Sequence, residues 1–125
     1  MVHKPFNEVW EDLKQLKGKV VYTLCYRWRN DIVGFDDYKM LRLSHAPQAS
    51  GEIKPVSKRT FLMVWEHLLK DGDFVPKDIP AWKIACACIA HLPEVEYSCK
   101  EGFIHLYLRP KGSHPFCEVR EYKGN

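Results

Sequence analysis

The sequence has no long apolar run. The longest, Ile84 to Ala90, covers seven residues, far short of the roughly 20 that a bilayer-spanning helix needs. The opening residues, Met1-Val2-His3-Lys4-Pro5-Phe6-Asn7-Glu8, lack the apolar centre of a secretory signal. No excess of one charge is present either: 19 Lys and Arg stand against 16 Asp and Glu, a net charge of +3 with a pI near 8.6. The charge is evenly spread, with nine basic and seven acidic residues in 1–56 and ten and nine in 57–125. That excludes a polycationic tail and leaves nucleic acid or an acidic partner permitted but not demanded. There is no internal repeat and no low-complexity stretch. Gly-x-Ser-x-Gly, His-Glu-x-x-His and a glycine-rich phosphate loop are all missing.

Cysteine is present without a framework. Cys25, Cys86, Cys88, Cys99 and Cys117 are odd in number and irregular in spacing. This is unlike a secreted disulfide scaffold and fits a reducing compartment, with small buried cysteines as the expectation. Cys86 and Cys88 are two apart on an expected helix, so their side chains diverge by roughly 200° and cannot share a metal. No cofactor or metal is implied, and the sequence reads as a soluble cytoplasmic protein. His45, His105 and His114 are scattered, so no catalytic residue is assigned and the reading leans away from an enzyme.

The 125 residues are the length of one domain, and 46% hydrophobic with 28% charged residues is an ordinary globular balance. We expect a single globular domain over 1–125, with 110–125 as a peripheral tail. Such a chain can bury about two-thirds of its unfolded surface and needs no staple.

The periodicity predicts an α+β fold. Phe6, Val9, Trp10, Leu13 and Leu16 share one face of a helix over 5–17, with Pro5 in its first turn and Gly18 at its stop. Residues 19–56 switch to strand formers, giving a three- or four-stranded antiparallel meander. Its strands lie at 20–24, 32–35 and 38–43, with a short edge strand around Ile53–Val56 that contains Pro55. Tyr38, Met40, Arg42 and Ser44 fall on one face of the third run. Ser57 caps a second helix over 58–70, which Asp71-Gly72 ends. After a linker with Pro76, Asp78 and Pro80 begin a third helix running to about His91, apolar nearly all round and therefore buried. A hairpin, 95–99 and 103–108, turns on Lys100-Glu101-Gly102. The tail has one strand-like stretch, Phe116 to Val119.

Helix, linker, helix and hairpin together make a winged-helix-like order. The second helix of that pair carries Lys83 and His91 as its only basic residues, so base reading by it is not expected. The better signal is Tyr26-Arg27-Trp28-Arg29-Asn30, where two arginines alternate with two aromatics at a strand end. Such a corner neutralises phosphate and stacks on bases, and Lys54, Lys58 and Arg59 extend it. Trp10, Trp65 and Trp82 lie on apolar helix faces and belong to the core; Trp28, among charges, does not.

The sequence therefore predicts a small non-enzymatic binding module, nucleic-acid-associated through Tyr26, Arg27, Trp28, Arg29, Lys54, Lys58 and Arg59. One alternative is a protein-interaction or oligomerising subunit using the same Arg–Trp surface or the hairpin edge. Another is a small-molecule binder or enzyme with a pocket between the meander and the helices, lined by aromatic and histidine side chains.

Overall fold

The computed structural model describes residues 4–74 and 78–124. An N-terminal helix, α1 (Phe6–Leu13), continues as a 3-10 turn, Lys14–Leu16. Four strands follow: β1 (Val20–Tyr22), β2 (Arg29–Phe35), β3 (Lys39–Ser44) and β4 (Ile53–Ser57). They form one sheet in chain order, antiparallel throughout, with a register shift between Ile32 and Gly34. Pro55 sits in the edge strand, where a missing backbone donor costs least.

Helix α2 (Lys58–Asp71) begins as expected: the Ser57 hydroxyl accepts from the Arg59 amide at 3.0 Å. Gly72, at φ 77°, closes it. A two-residue strand, β5 (Asp73–Phe74), then joins the later hairpin. The Pro76 linker lies outside the described residues.

Helix α3 (Trp82–Ile89) starts later than its sequence suggests. Ala81 takes a left-handed conformation, φ 55° and ψ 30°, which stops any helix from continuing back to Asp78. From Ile84 to Ala90 every residue is buried. Strands β6 (Val95–Lys100) and β7 (Phe103–Leu108) pair around a two-residue turn, Glu101-Gly102, with both φ values positive. That geometry matches the right-handed twist of the flanking strands. The β6–β7 hairpin and β5 make a three-stranded sheet in the order β5-β7-β6.

The tail forms no strand at Phe116–Val119. It is held instead by a parallel bridge between Tyr97 and Glu121 and by Tyr122 stacked on Tyr107 at 3.9 Å. No helix among the described residues is long and apolar enough to cross a membrane.

One cluster of buried side chains runs from α1 through the inner face of the meander to α2, α3 and the hairpin. Each element contributes one face: Val9, Trp10 and Leu13 from α1; Val21, Ile32, Met40 and Val56 from the sheet; Phe61, Val64, Trp65 and Leu68 from α2. The cysteines depart from expectation. Cys25 and Cys99, 74 residues apart, form a disulfide that ties the β1–β2 loop to the end of β6. Cys86 and Cys88 are free and buried as expected, and Cys117 is free and exposed. Spacing could not show the pairing, because only the fold brings residues this far apart in the chain together.

His91, just past α3, hydrogen-bonds through Nδ1 to the Ala87 carbonyl at 2.6 Å. Burial, reinforced by nearby His114 and opposed by that hydrogen bond, holds its pKa below the usual histidine value. The unfolded chain then binds the proton more readily than the folded one, so stability is fully present above the unfolded pKa and drains away as pH falls through about 6.5. Chemical denaturation of wild type should show a falling midpoint below pH 6.5, and His91→Gln should flatten that slope. An unchanged slope would remove His91 as its source.

A cleft between the meander and the third helix

The inner face of the meander changes character along its length. Ile32, Met40 and Val56 lie under the helices, and the next inward positions are Asn30, Arg42, Ser44 and Lys54. Where helix cover ends, these polar residues floor a cleft of about 310 Å³. Trp28, Trp82 and Lys83 wall one side, and the 46–52 loop walls the other.

Arg42 is the unusual group. Its Nη1 donates to the Asn30 side-chain Oδ1 at 2.9 Å, while its buried Nε has no partner. Asn30 is fully buried, and its Nδ2 donates to the Trp28 carbonyl at 3.3 Å, so the guanidinium is fixed by a neutral partner. Burial lowers the Arg42 pKa from its usual value. The thiol of Cys88 interacts electrostatically with Arg42 from the core, and burial pushes that thiol up to about 12 against the pull of Arg42. It therefore stays a neutral thiol at physiological pH.

Arg42 also sits directly opposite Lys54 across β3 and β4. Like charges in cross-strand register destabilise a sheet. Lys83 adds a third cation. None of the three has an acidic partner within ion-pair distance among the described residues, and Glu52 is the single carboxylate lining the cleft.

The β1–β2 corner forms one wall. The buried Thr23 hydroxyl accepts from the Trp28 amide at 2.9 Å, and the two backbones exchange a further bond, Thr23 N to Trp28 O, also 2.9 Å. Tyr26 and Trp28 stack at 5.1 Å, and Tyr26 donates its hydroxyl to the Gly102 carbonyl at 3.2 Å. The Lys83 ammonium lies 4.4 Å from the Tyr26 ring centre, 5.1 Å from Trp28 and 5.6 Å from Trp82.

The seven residues singled out in the sequence fall in three places. Trp28 and Lys54 line the cleft, with Tyr26 stacked behind Trp28. Arg29 turns to the outer face of the sheet, where Nε donates to Asp31 at 3.0 Å; His45 contacts the other Asp31 oxygen at 2.8 Å. These hydrogen bonds, His45 first and Arg29 second, hold the Asp31 carboxyl below its usual range. Arg27 lies over the Tyr22 ring at 5.5 Å. Lys58 and Arg59 are at the other end of β4, Lys58 over Trp10 at 5.7 Å.

Arg42, Lys83 and Trp82 escaped the sequence reading as site residues, and Asn30 entered it only as the end of the Tyr26–Asn30 corner. The sequence placed Arg42 on the strand face of Met40, and the burial of Met40 makes it an inward-pointing charge. Trp82, expected in the core, is only half-buried. No group of three or more His, Cys, Asp or Glu is placed to hold a metal ion among the described residues. Comparison with family models, curated proteins and solved structures found no significant match to this chain.

Proposed function

We propose that this protein is a small non-enzymatic binding module that takes an anionic group into the cleft between the meander and α3. The observation that carries this reading is Arg42, a guanidinium set by a buried neutral asparagine, with a free Nε and no acid beside it. Stationing Lys54 opposite it costs stability that a bound anion would recover. The nucleic-acid reading narrows accordingly. Phosphate entering the cleft has more support than bases stacking on the outer corner, because Tyr26 and Trp28 already stack on each other and Arg29 is paired. The order α2, α3, hairpin keeps the winged-helix-like reading, without a groove-reading helix, since α3 is buried from Ile84 onward. Three free thiols favour the cytoplasm, where the Cys25–Cys99 bridge would be open to reduction.

The test is calorimetric titration with inorganic phosphate and sulfate, using wild type and Asn30→Asp. The variant sets a carboxylate against Arg42 and should reduce anion affinity at least about 10-fold, the equivalent of 1.4 kcal/mol. Its far-ultraviolet circular dichroism should stay native. Equal binding by both proteins, or none by wild type at low salt, would remove the reading.

A second reading, a protein-interaction subunit, draws on the outer face of the meander. Val20, Tyr22, Val33 and Ile53 are 39%, 46%, 41% and 54% exposed there. A mass that rises with concentration would support it, and a constant monomer mass would count against self-association.

A further inference from the structure

The cleft's charge and its aromatic wall together narrow the ligand class, given the anion reading above. We infer that the site takes a phosphate monoester attached to a planar base: a nucleoside monophosphate, or the same group at the 5′ end of a strand.

Charge balance comes first. Arg42, Lys54 and Lys83 against Glu52 leave a surplus of two positive charges in the cleft. A phosphomonoester carries about −1.5 to −2 at pH 7, which matches that surplus. A backbone diester or a carboxylate, with a single charge, leaves one cation unmatched.

Geometry comes second. With Nη1 held by Asn30, the plane of the Arg42 guanidinium is fixed, and Arg42 lines the cleft with that plane set. A planar fork of this kind suits phosphate oxygens better than an ammonium does. Lys54, opposite on β4, reaches the same anion as a point charge.

Shape comes third. Two indoles, Trp28 and Trp82, line the same cleft, and Tyr26 stacked on Trp28 restricts that ring to one orientation. A base between or against these rings gains stacking of roughly 1–3 kcal/mol. The volume of about 310 Å³ sits at the lower end of the usual range for small-ligand sites. It suits one base and one phosphate, and does not admit a duplex. Lys83 touches both halves of the site, its ammonium over the rings and its side chain lining the cleft.

The experiment is a calorimetric and amide-shift NMR titration of the full chain. The probes are inorganic phosphate, adenosine, uridine, their 5′-monophosphates, and one short oligonucleotide with a 5′-phosphate or a 5′-hydroxyl. The monophosphates should bind at least about 10-fold tighter than phosphate or nucleoside alone, with shifts at Trp28, Arg42, Lys54 and Trp82. Arg42→Gln should lose that gain. The exposed Lys54→Glu, which spares the core, should lose it as well, so a folding defect at Arg42 cannot mimic the result. Affinity should fall below about pH 6 as the monoester dianion is protonated to the monoanion. Tighter binding of the 5′-phosphorylated strand than of the free monophosphate would identify strand ends as the source, and the reverse order would identify free nucleotides.

Monophosphates no tighter than inorganic phosphate would overturn this inference while the anion reading stands. A 5′-hydroxyl strand binding as well as its phosphorylated form would overturn it too, since backbone diesters would then suffice. No binding of any anion would remove both.

Discussion

Dithiothreitol should lower the melting temperature of this protein by roughly 15 °C. The Cys25–Cys99 bridge closes a loop between residues 74 apart in the chain. Constraining the unfolded ensemble over such a loop stabilises the native state by about 4 kcal/mol in the chain-entropy account. Unfolding entropy near 2.1 cal/mol/K per residue then sets the size of the shift for a chain of this length. Without the bridge, the β1–β2 corner is tied to the hairpin chiefly by the hydrogen bond from Tyr26 to Gly102. Because that corner carries Trp28, reduction should also weaken binding in the cleft. Thermal unfolding with and without reductant, repeated on Cys25→Ser/Cys99→Ser, checks the prediction. The variant should melt at the reduced temperature and ignore further reductant. A melting temperature indifferent to reductant would mean that the two sulfurs are not joined in solution.

The parts of the fold legible in the sequence are those decided by neighbours in the chain. Ser57 and Gly72 bracket α2 because a cap and a left-handed stop act within a few residues. The meander follows from alternation, and Pro55 identifies its edge strand. The hairpin follows from the alternation in 103–108 and from Gly102, which takes positive φ freely, while the positive φ of Glu101 has no sequence signal. What was hidden depends on distant partners or on conformations without a sequence preference. Ala81 is left-handed although alanine has no bias toward that region, so α3 begins four residues after Asp78. The tail reads as a strand at Phe116–Val119, yet its ordering comes from Tyr122 stacking on Tyr107. The disulfide needed the corner and the hairpin to be side by side.

The candidate site divides in the same way. Alternation along β3 put Arg42 and Ser44 on the face of Met40, but with Leu41 and Leu43 on the opposite face it did not say which side is inward. The sequence does not show where the helices stop covering that face, and this decides whether an inward arginine is a buried fault or the floor of a cleft. The Arg–Trp corner was the louder signal because its residues are contiguous. The fold separates them: alternate residues of a strand face opposite sides, so Arg29 goes outward with Asp31 while Asn30 goes inward to Arg42.

Trp10→Ala should destabilise the protein by about 3–5 kcal/mol. Trp10 is 2% exposed and joins three elements. Its ring meets Phe35 of β2 and Phe61 of α2 edge-on, each at 5.4 Å, and Phe6 lies 6.2 Å away on its own helix. The indole Nε1 donates to the Asp36 carbonyl at 3.3 Å, fixing α1 against the β2–β3 turn. Truncation leaves a cavity among aromatic rings that cannot collapse into it, and it removes the hydrogen bond to that carbonyl. Trp65 provides the contrast. It is equally buried, but its Nε1 has no hydrogen-bond partner. Trp65→Phe therefore removes an unmet donor along with some volume, whereas Trp10→Phe removes a satisfied one. Urea unfolding should rank Trp10→Ala as the most damaging of the three, then Trp10→Phe, then Trp65→Phe. Trp10 contacts the β2–β3 turn, at the opposite end of the strands from the cleft, so the folded fraction of each Trp10 variant should keep wild-type anion affinity. If Trp65→Phe costs as much as Trp10→Phe, the indole–carbonyl bond at Asp36 contributes nothing to the difference.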